Sequence, residues 1–241
     1  MQKKRKVLVS IGVVLISLLF IYPFLNNFVI TGQIIYQSAS DGSTINDTYL
    51  REQFPNNNFG TATTIRVGNV SGGTEYTSII RDSNISSIDS EDTIVSAKLQ
   101  IYINESFGDS NITLKAYRIT TSWTETEATW NNRTAAATWT TAGGDYVATE
   151  LDSINITNET GLYYNFTITD AARGWINGTY NNYGIILKAP NTGAGNYTYI
   201  SSSDHTNTSQ KLKIIVEHTG NAAPQLTNIS TNSTLSSPTP I

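Results

Sequence analysis

Residues 95–103 read VSAKLQIYI. Val95, Ala97, Leu99, Ile101 and Ile103 alternate with Ser96, Lys98, Gln100 and Tyr102. A period of two puts the first set on one face of a strand and the second on the other, so the strand is buried on one side. The alternation returns in residues 112–120 (Ile112, Leu114, Ala116), 163–168 (Tyr164, Phe166, Ile168) and 211–217 (Leu212, Ile214, Val216). Shorter strands are expected over 47–52, 64–68, 77–81, 149–155, 183–189 and 197–201, with turn residues such as Asn58, Gly60 and Gly72-Gly73 between them. About ten short strands of this kind predict an all-β fold, an antiparallel β-sandwich of jelly-roll type. Residues 170–177 predict one short helix. Asp170 would cap it, Ala172, Trp175 and Ile176 would pack inward, and Gly178 would end it.

Outside this region the chain changes character. Residues 7–25 (VLVSIGVVLISLLFIYPFL) carry no charge and follow Lys3-Lys4-Arg5-Lys6. A helix of that length spans roughly 28 Å, close to a bilayer core. The expectation is a short cytoplasmic flank (1–6), a transmembrane signal-anchor helix (7–25) and a linker (26–40) whose apolar residues either extend the helix or lie against the domain, with the rest of the chain outside the cytoplasmic membrane. A cleaved signal peptide is the competing reading, and it exports the same residues. The module is expected over 41–218. Residues 219–241 are rich in Asn, Ser, Thr and Pro and read as a linker or the start of a further β-module.

Composition fits a surface location. The net charge of −4 argues against nucleic-acid binding. There is no Cys, and a domain of this size needs no disulfide. Fourteen Asn residues stand in Asn-X-Ser/Thr acceptor motifs: Asn46, Asn69, Asn84, Asn104, Asn111, Asn132, Asn155, Asn158, Asn165, Asn177, Asn196, Asn207, Asn228 and Asn232. They predict a glycoprotein; a β-surface simply rich in Asn and Thr is the plainer alternative. Residues 104–110 are expected to be an exposed hairpin loop with acceptors at both ends.

Several blocks occur together in order: Asp47-Thr48-Tyr49-Leu50-Arg51-Glu52, Asn58-Phe59-Gly60, Ile65-Arg66-Val67-Gly68, Ser78-Ile79-Ile80-Arg81, Ala116-Tyr117-Arg118-Ile119-Thr120, Trp123-Thr124-Glu125, Thr129-Trp130-Asn131-Asn132 and Gly143-Gly144-Asp145-Tyr146. Across 41–218 they resemble the DNRLRE domain, and are similar to carbohydrate-binding module family 96 and to disaggregatase-related surface-protein modules. The resemblance implies an extracellular jelly roll whose relatives bind polysaccharide. Residues 81–84 (RDSN) are more polar than the family's pattern, which bears on how that strand ends.

Catalysis finds little support. There is no Cys nucleophile, and His205 and His218 stand in no triad-like or zinc-like context. Glu125 and Glu127 are the one carboxylate pair close to Trp residues, and acidic loop residues are normally solvated. The expected catalytic set is none, and any catalytic domain would lie beyond residue 241. Sugar binding needs exposed aromatic faces beside polar groups. Trp130, Asn131, Arg133, Trp139, Asp145 and Tyr146 are the candidates because they fall in the irregular segment 121–146. The alternative is that these aromatics plug the sandwich. A basic groove for acidic polysaccharide could draw on Arg66, Arg81, Lys98, Lys115, Arg118 and Arg133. Asp41, Asp47, Glu52 and Asp204 are candidate ligands for a structural calcium, the only cofactor considered.

The expected function is an exported, membrane-anchored protein whose non-catalytic module holds polysaccharide. A glycosylated envelope spacer without a sugar site, and the front of a larger polysaccharide-degrading enzyme, are the alternatives.

Overall fold

A computed structural model describes residues 33–108, 111–157, 159–190 and 192–220. The basic flank, the 7–25 anchor, the start of the 26–40 linker and residues 221–241 lie outside the described residues. Among the described residues no helix is long and apolar enough to cross a membrane.

The elements in chain order are β1 (Gln33–Gln37), β2 (Ile45–Arg51), β3 (Thr64–Asn69), β4 (Glu75–Asp82), β5 (Thr93–Phe107), β6 (Ile112–Ile119), β7 (Asn132–Thr134), β8 (Ala137–Thr138), β9 (Tyr146–Ile156), β10 (Leu162–Thr167), α1 (Thr169–Ile176), β11 (Ile185–Lys188), β12 (Tyr197–Ser201) and β13 (Lys213–Thr219). Every described ladder is antiparallel. The main path runs β1-β13-β5-β12-β3-β4-β11-β6-β9, with β10 joined at β5 and β2 at β4. β7 and β8 form a separate ribbon.

The two branches make the sandwich. Leu99, Ile101 and Ile103 of β5, Phe166 of β10, and Ile214 and Val216 of β13 enter one core. Ile45 and Tyr49 of β2, Ile80 of β4, Ile185 and Leu187 of β11, and Leu114 of β6 enter the same core. These residues alternate along each strand, so both layers present one face to it. The result is a jelly-roll-like β-sandwich with one short helix, whose Ala171, Ala172, Trp175 and Ile176 close part of the core.

A second, smaller core lies on the other face of the β4 layer. Leu50, Ile79 and Ile186 alternate with the first-core residues and pack with Ile119, Trp123, Ala128 and Trp139. Segment 121–145 therefore covers that face. This is why β2, β4 and β11 are buried along nearly their whole length, polar Thr48, Thr77 and Ser78 included; a strand covered on both faces has no solvent side.

Four expectations are corrected. The linker expected over 26–40 contributes a strand: β1 pairs with β13 in the register Gln33↔Thr219. Val95 is 50% exposed rather than inward. The β13 register jumps from Glu217↔Ser96 to His218↔Ile94, so a bulge at Val95 turns it out and lets Ile94 take the inner position. The loop expected from Asn104 starts later, because β5 runs on to Phe107 and pairs there with β12. Asp170 does not cap α1; no side chain does. It pairs instead with Arg173 at 2.8 Å. Gly178, at φ +76°, does follow the helix end. The polar end of β4 is also accounted for. Asp82 is buried and accepts from the Tyr36 hydroxyl at 2.7 Å and the Asn84 N–H at 2.9 Å, so its strand stops on β1.

Candidate functional site

The residues singled out in segment 121–146 do not converge on one binding face. Trp139 is 4% exposed, and its indole N–H donates to the Thr129 carbonyl at 2.9 Å. It is a core residue and not a stacking platform, because the second core claims it. Trp130 is partly buried against the same core, and its carbonyl accepts from the Gly143 N–H at 2.7 Å. Gly143 sits so close that a Cβ there would meet the Trp130 ring at 2.8 Å. Asn131 donates to Asn56 Oδ1 at 3.0 Å, and Arg133 donates to the Ser122 carbonyl at 3.0 Å. Asp145 accepts from the Thr140 and Thr141 N–H groups at 2.9 and 2.8 Å, so its carboxylate shapes the loop. Tyr146 is partly buried against Tyr117, with ring centroids 4.9 Å apart. Asp145 and Tyr146, with Thr120, Thr121, Thr140 and Thr141, line an open depression of about 460 Å³.

Glu125 and Glu127 are occupied as acceptors. Glu125 takes the Asp47 N–H at 2.7 Å and the Asn46 amide at 3.0 Å; Glu127 takes the Ala135 N–H at 2.9 Å. Neither is a free carboxylate poised beside a sugar.

Three of the four calcium candidates accept from backbone N–H groups. Asp41 accepts from Ser43 N–H at 2.9 Å and Glu52 from Glu75 N–H at 2.9 Å. Asp47 is buried and accepts from Ser203 N–H at 2.8 Å. Burial pushes the Asp47 carboxyl up to about 7, opposed by the Ser203 hydrogen bonds and reinforced by Glu125 and Asp204. Among the described residues no three His, Cys, Asp or Glu side chains gather into a metal-holding group.

A different face has the required chemistry. It runs from the end of β2 across β4 and β3 to β12 and the end of β5. The Arg51 guanidinium lies 4.1 Å from the Phe54 ring centroid and 5.4 Å from that of Tyr76. Arg66 lies 4.9 Å from Tyr49, 5.7 Å from Tyr76 and 4.4 Å from Tyr199. Tyr199 and Tyr197 continue to Phe107, which stacks on Tyr197 at 4.6 Å. Tyr49 and Tyr76 are buried beneath, and Tyr49 stacks on Phe59 at 4.2 Å. Phe54 is 42% exposed at the edge.

The local sequence builds this face. Ile65 and Val67 point into the core, so Arg66 between them points out; Ile200 points in, so Tyr199 points out. The ladder pairs Tyr199 with Arg66 directly. The ion pairs among the described residues are Lys115–Glu150, Arg173–Asp170, Lys188–Glu75 and His218–Asp92, and none uses Arg51 or Arg66. The Nε atoms of both arginines are buried without a hydrogen-bond partner. Both guanidinium groups lie over rings and neither is in an ion pair, although Arg51 also donates to Gln53 Oε1.

Sequence reasoning included Arg66 among the basic donors but missed Arg51 and the tyrosines. The signal was present in the alternation of Tyr197 and Tyr199 around Thr198, but cross-strand neighbours are not visible in one strand.

An all-β sandwich with a rigid aromatic–guanidinium face has the build of a binding module. The chain belongs to carbohydrate-binding module family 96, whose sequence profile matches residues 38–216. No curated protein matches the chain.

Proposed function

We propose that this domain binds a polysaccharide bearing carboxylates on the face formed by Arg51, Phe54, Arg66 and Tyr199. The observation that carries the reading is the pair of unneutralised guanidinium groups laid on aromatic rings. A guanidinium presents planar donors that suit a carboxylate, and a ring face suits the C–H side of a pyranose. The domain holds the polymer without cleaving it, since Glu125 and Glu127 are committed to backbone groups. Export, with residues 7–25 anchoring the module at the outer side of the cytoplasmic membrane, is part of the same proposal. It is supported by the apolar run and its basic flank.

The test is calorimetric titration against neutral and uronic-acid polysaccharides, with and without calcium, for the unaltered domain and for Arg66→Ala. Saturable binding to the acidic polymers, weakened by the substitution, is expected. Absence of binding by a folded domain would reject it. The burial of Trp139 favours the second reading, a glycosylated envelope spacer, and that negative result would select it.

A further inference from the structure

Two acceptor motifs share one local geometry. Asn177 Oδ1 accepts from both the N–H and the hydroxyl of Thr179, at 3.0 and 2.7 Å. Asn207 Oδ1 accepts from both the N–H and the hydroxyl of Ser209, at 3.1 and 2.8 Å. In each, the carboxamide oxygen is turned back onto the third residue of its own motif. The Nδ2 group is then left without a protein acceptor, on an exposed residue. Gly178, at φ +76° with open space where a Cβ would stand, permits the turn at the first site. The second lies in the loop between β12 and β13.

Other acceptors are spent. Asn46 Nδ2 donates to Glu125 at 3.0 Å, and its Oδ1 accepts from Arg81 at 3.2 Å. Asn69 Nδ2 donates to the Thr192 carbonyl at 2.6 Å. Both are partly buried, and carrying a glycan would break those bonds. Asn69 also follows Gly68, which pairs with both Tyr76 and Tyr197. A glycan at Asn69 would stand beside the aromatic–guanidinium face.

We infer that Asn177 and Asn207 are glycan attachment sites and that Asn46 and Asn69 stay bare, which leaves the ligand face uncovered. The donor class is an oligosaccharide linked through C1 to a lipid phosphate. The bond from Nδ2 to C1 forms and the bond from C1 to the phosphate oxygen breaks. The phosphate leaves with that electron pair, and the proton lost from Nδ2 passes to a base of the transferase. The attachment sites rest on the proposed exported state, and only their bearing on the ligand face rests on the proposed sugar binding.

The test exports the full chain from cells with an N-glycosylation pathway, behind the host's own leader. Glycans are released from the peptides in heavy-oxygen water with an amidase that hydrolyses the glycosylated Asn side-chain amide to Asp, and the peptides are mapped by mass spectrometry. Heavy-oxygen Asp is expected at 177 and 207 and not at 46 or 69. Asn177→Gln and Asn207→Gln should each remove one glycan increment on a gel, Asn69→Gln should remove none, and Thr179→Ser should retain occupancy. An unmodified Asn177 or Asn207 in the exported chain, or a glycan at Asn46 or Asn69, overturns the inference. Polysaccharide titration of the enzymatically deglycosylated chain reads the binding proposal separately.

Discussion

Arg66 of β3 and Tyr199 of β12 are direct cross-strand partners, and the guanidinium carbon lies 4.4 Å from the tyrosine ring centroid. The ladder fixes the spacing of the two backbones, so the cation is placed by the sheet and not by a mobile loop. A partly desolvated contact of this kind contributes about 0.5–2 kcal/mol. Lys at this position would keep the charge but lose the planar fork. Arg66→Lys and Arg66→Ala are each expected to weaken polysaccharide binding by roughly tenfold or more, about 1.4 kcal/mol. Isothermal titration reads this, and rising salt should weaken the unaltered protein as well.

Trp139 and Phe54 should separate stability from binding. Trp139 is enclosed by the second core, so Trp139→Ala should cost about 3–5 kcal/mol in denaturant unfolding. Phe54 is exposed, so Phe54→Ala should move stability by about 0.5 kcal/mol or less while reducing binding. The reverse pattern would return the binding face to segment 121–146.

Glu125 ties that segment to β2 through the Asp47 N–H and the Asn46 amide. Glu125→Ala leaves a partly buried N–H unpaired and should destabilise by about 1–3 kcal/mol. Thermal unfolding checks this.

Asp47 gives a pH signature. Its carboxyl titrates near the ordinary value of 3.8 in the unfolded chain and at about 7 when folded, because it is buried. Between these values the folded state holds a proton that the unfolded state has released. Asp47 therefore makes stability fall as pH rises from about 4 to about 7, and its contribution is flat above that. Asp47→Asn should remove this slope. The difference between the melting temperatures of variant and parent should widen in the variant's favour across that window.

Much of the fold is legible in alternation. The inner residues of β5, β10 and β13 can be read directly because each strand has one buried face. Two features are not local. The bulge that expels Val95 depends on β13, far along the chain. The second core depends on segment 121–145 folding over β4, so Trp139 in an irregular stretch looks like a surface aromatic. The candidate face was hidden for the same reason. Arg51, Arg66, Tyr76 and Tyr199 stand on four strands, and only the ladders bring them together. The family blocks contain Arg51 and Arg66, but their shared face is a property of the sheet.

The most direct measurement is titration of the folded protein with a uronic-acid polysaccharide and a neutral one, in parallel for the parent and Arg66→Ala. The account predicts saturable binding to the acidic polymer alone, lost or weakened at least tenfold in a variant that remains folded, its melting temperature lowered only by the lost cation–ring contact. Equal affinity of the parent and a folded Arg66→Ala protein would contradict it.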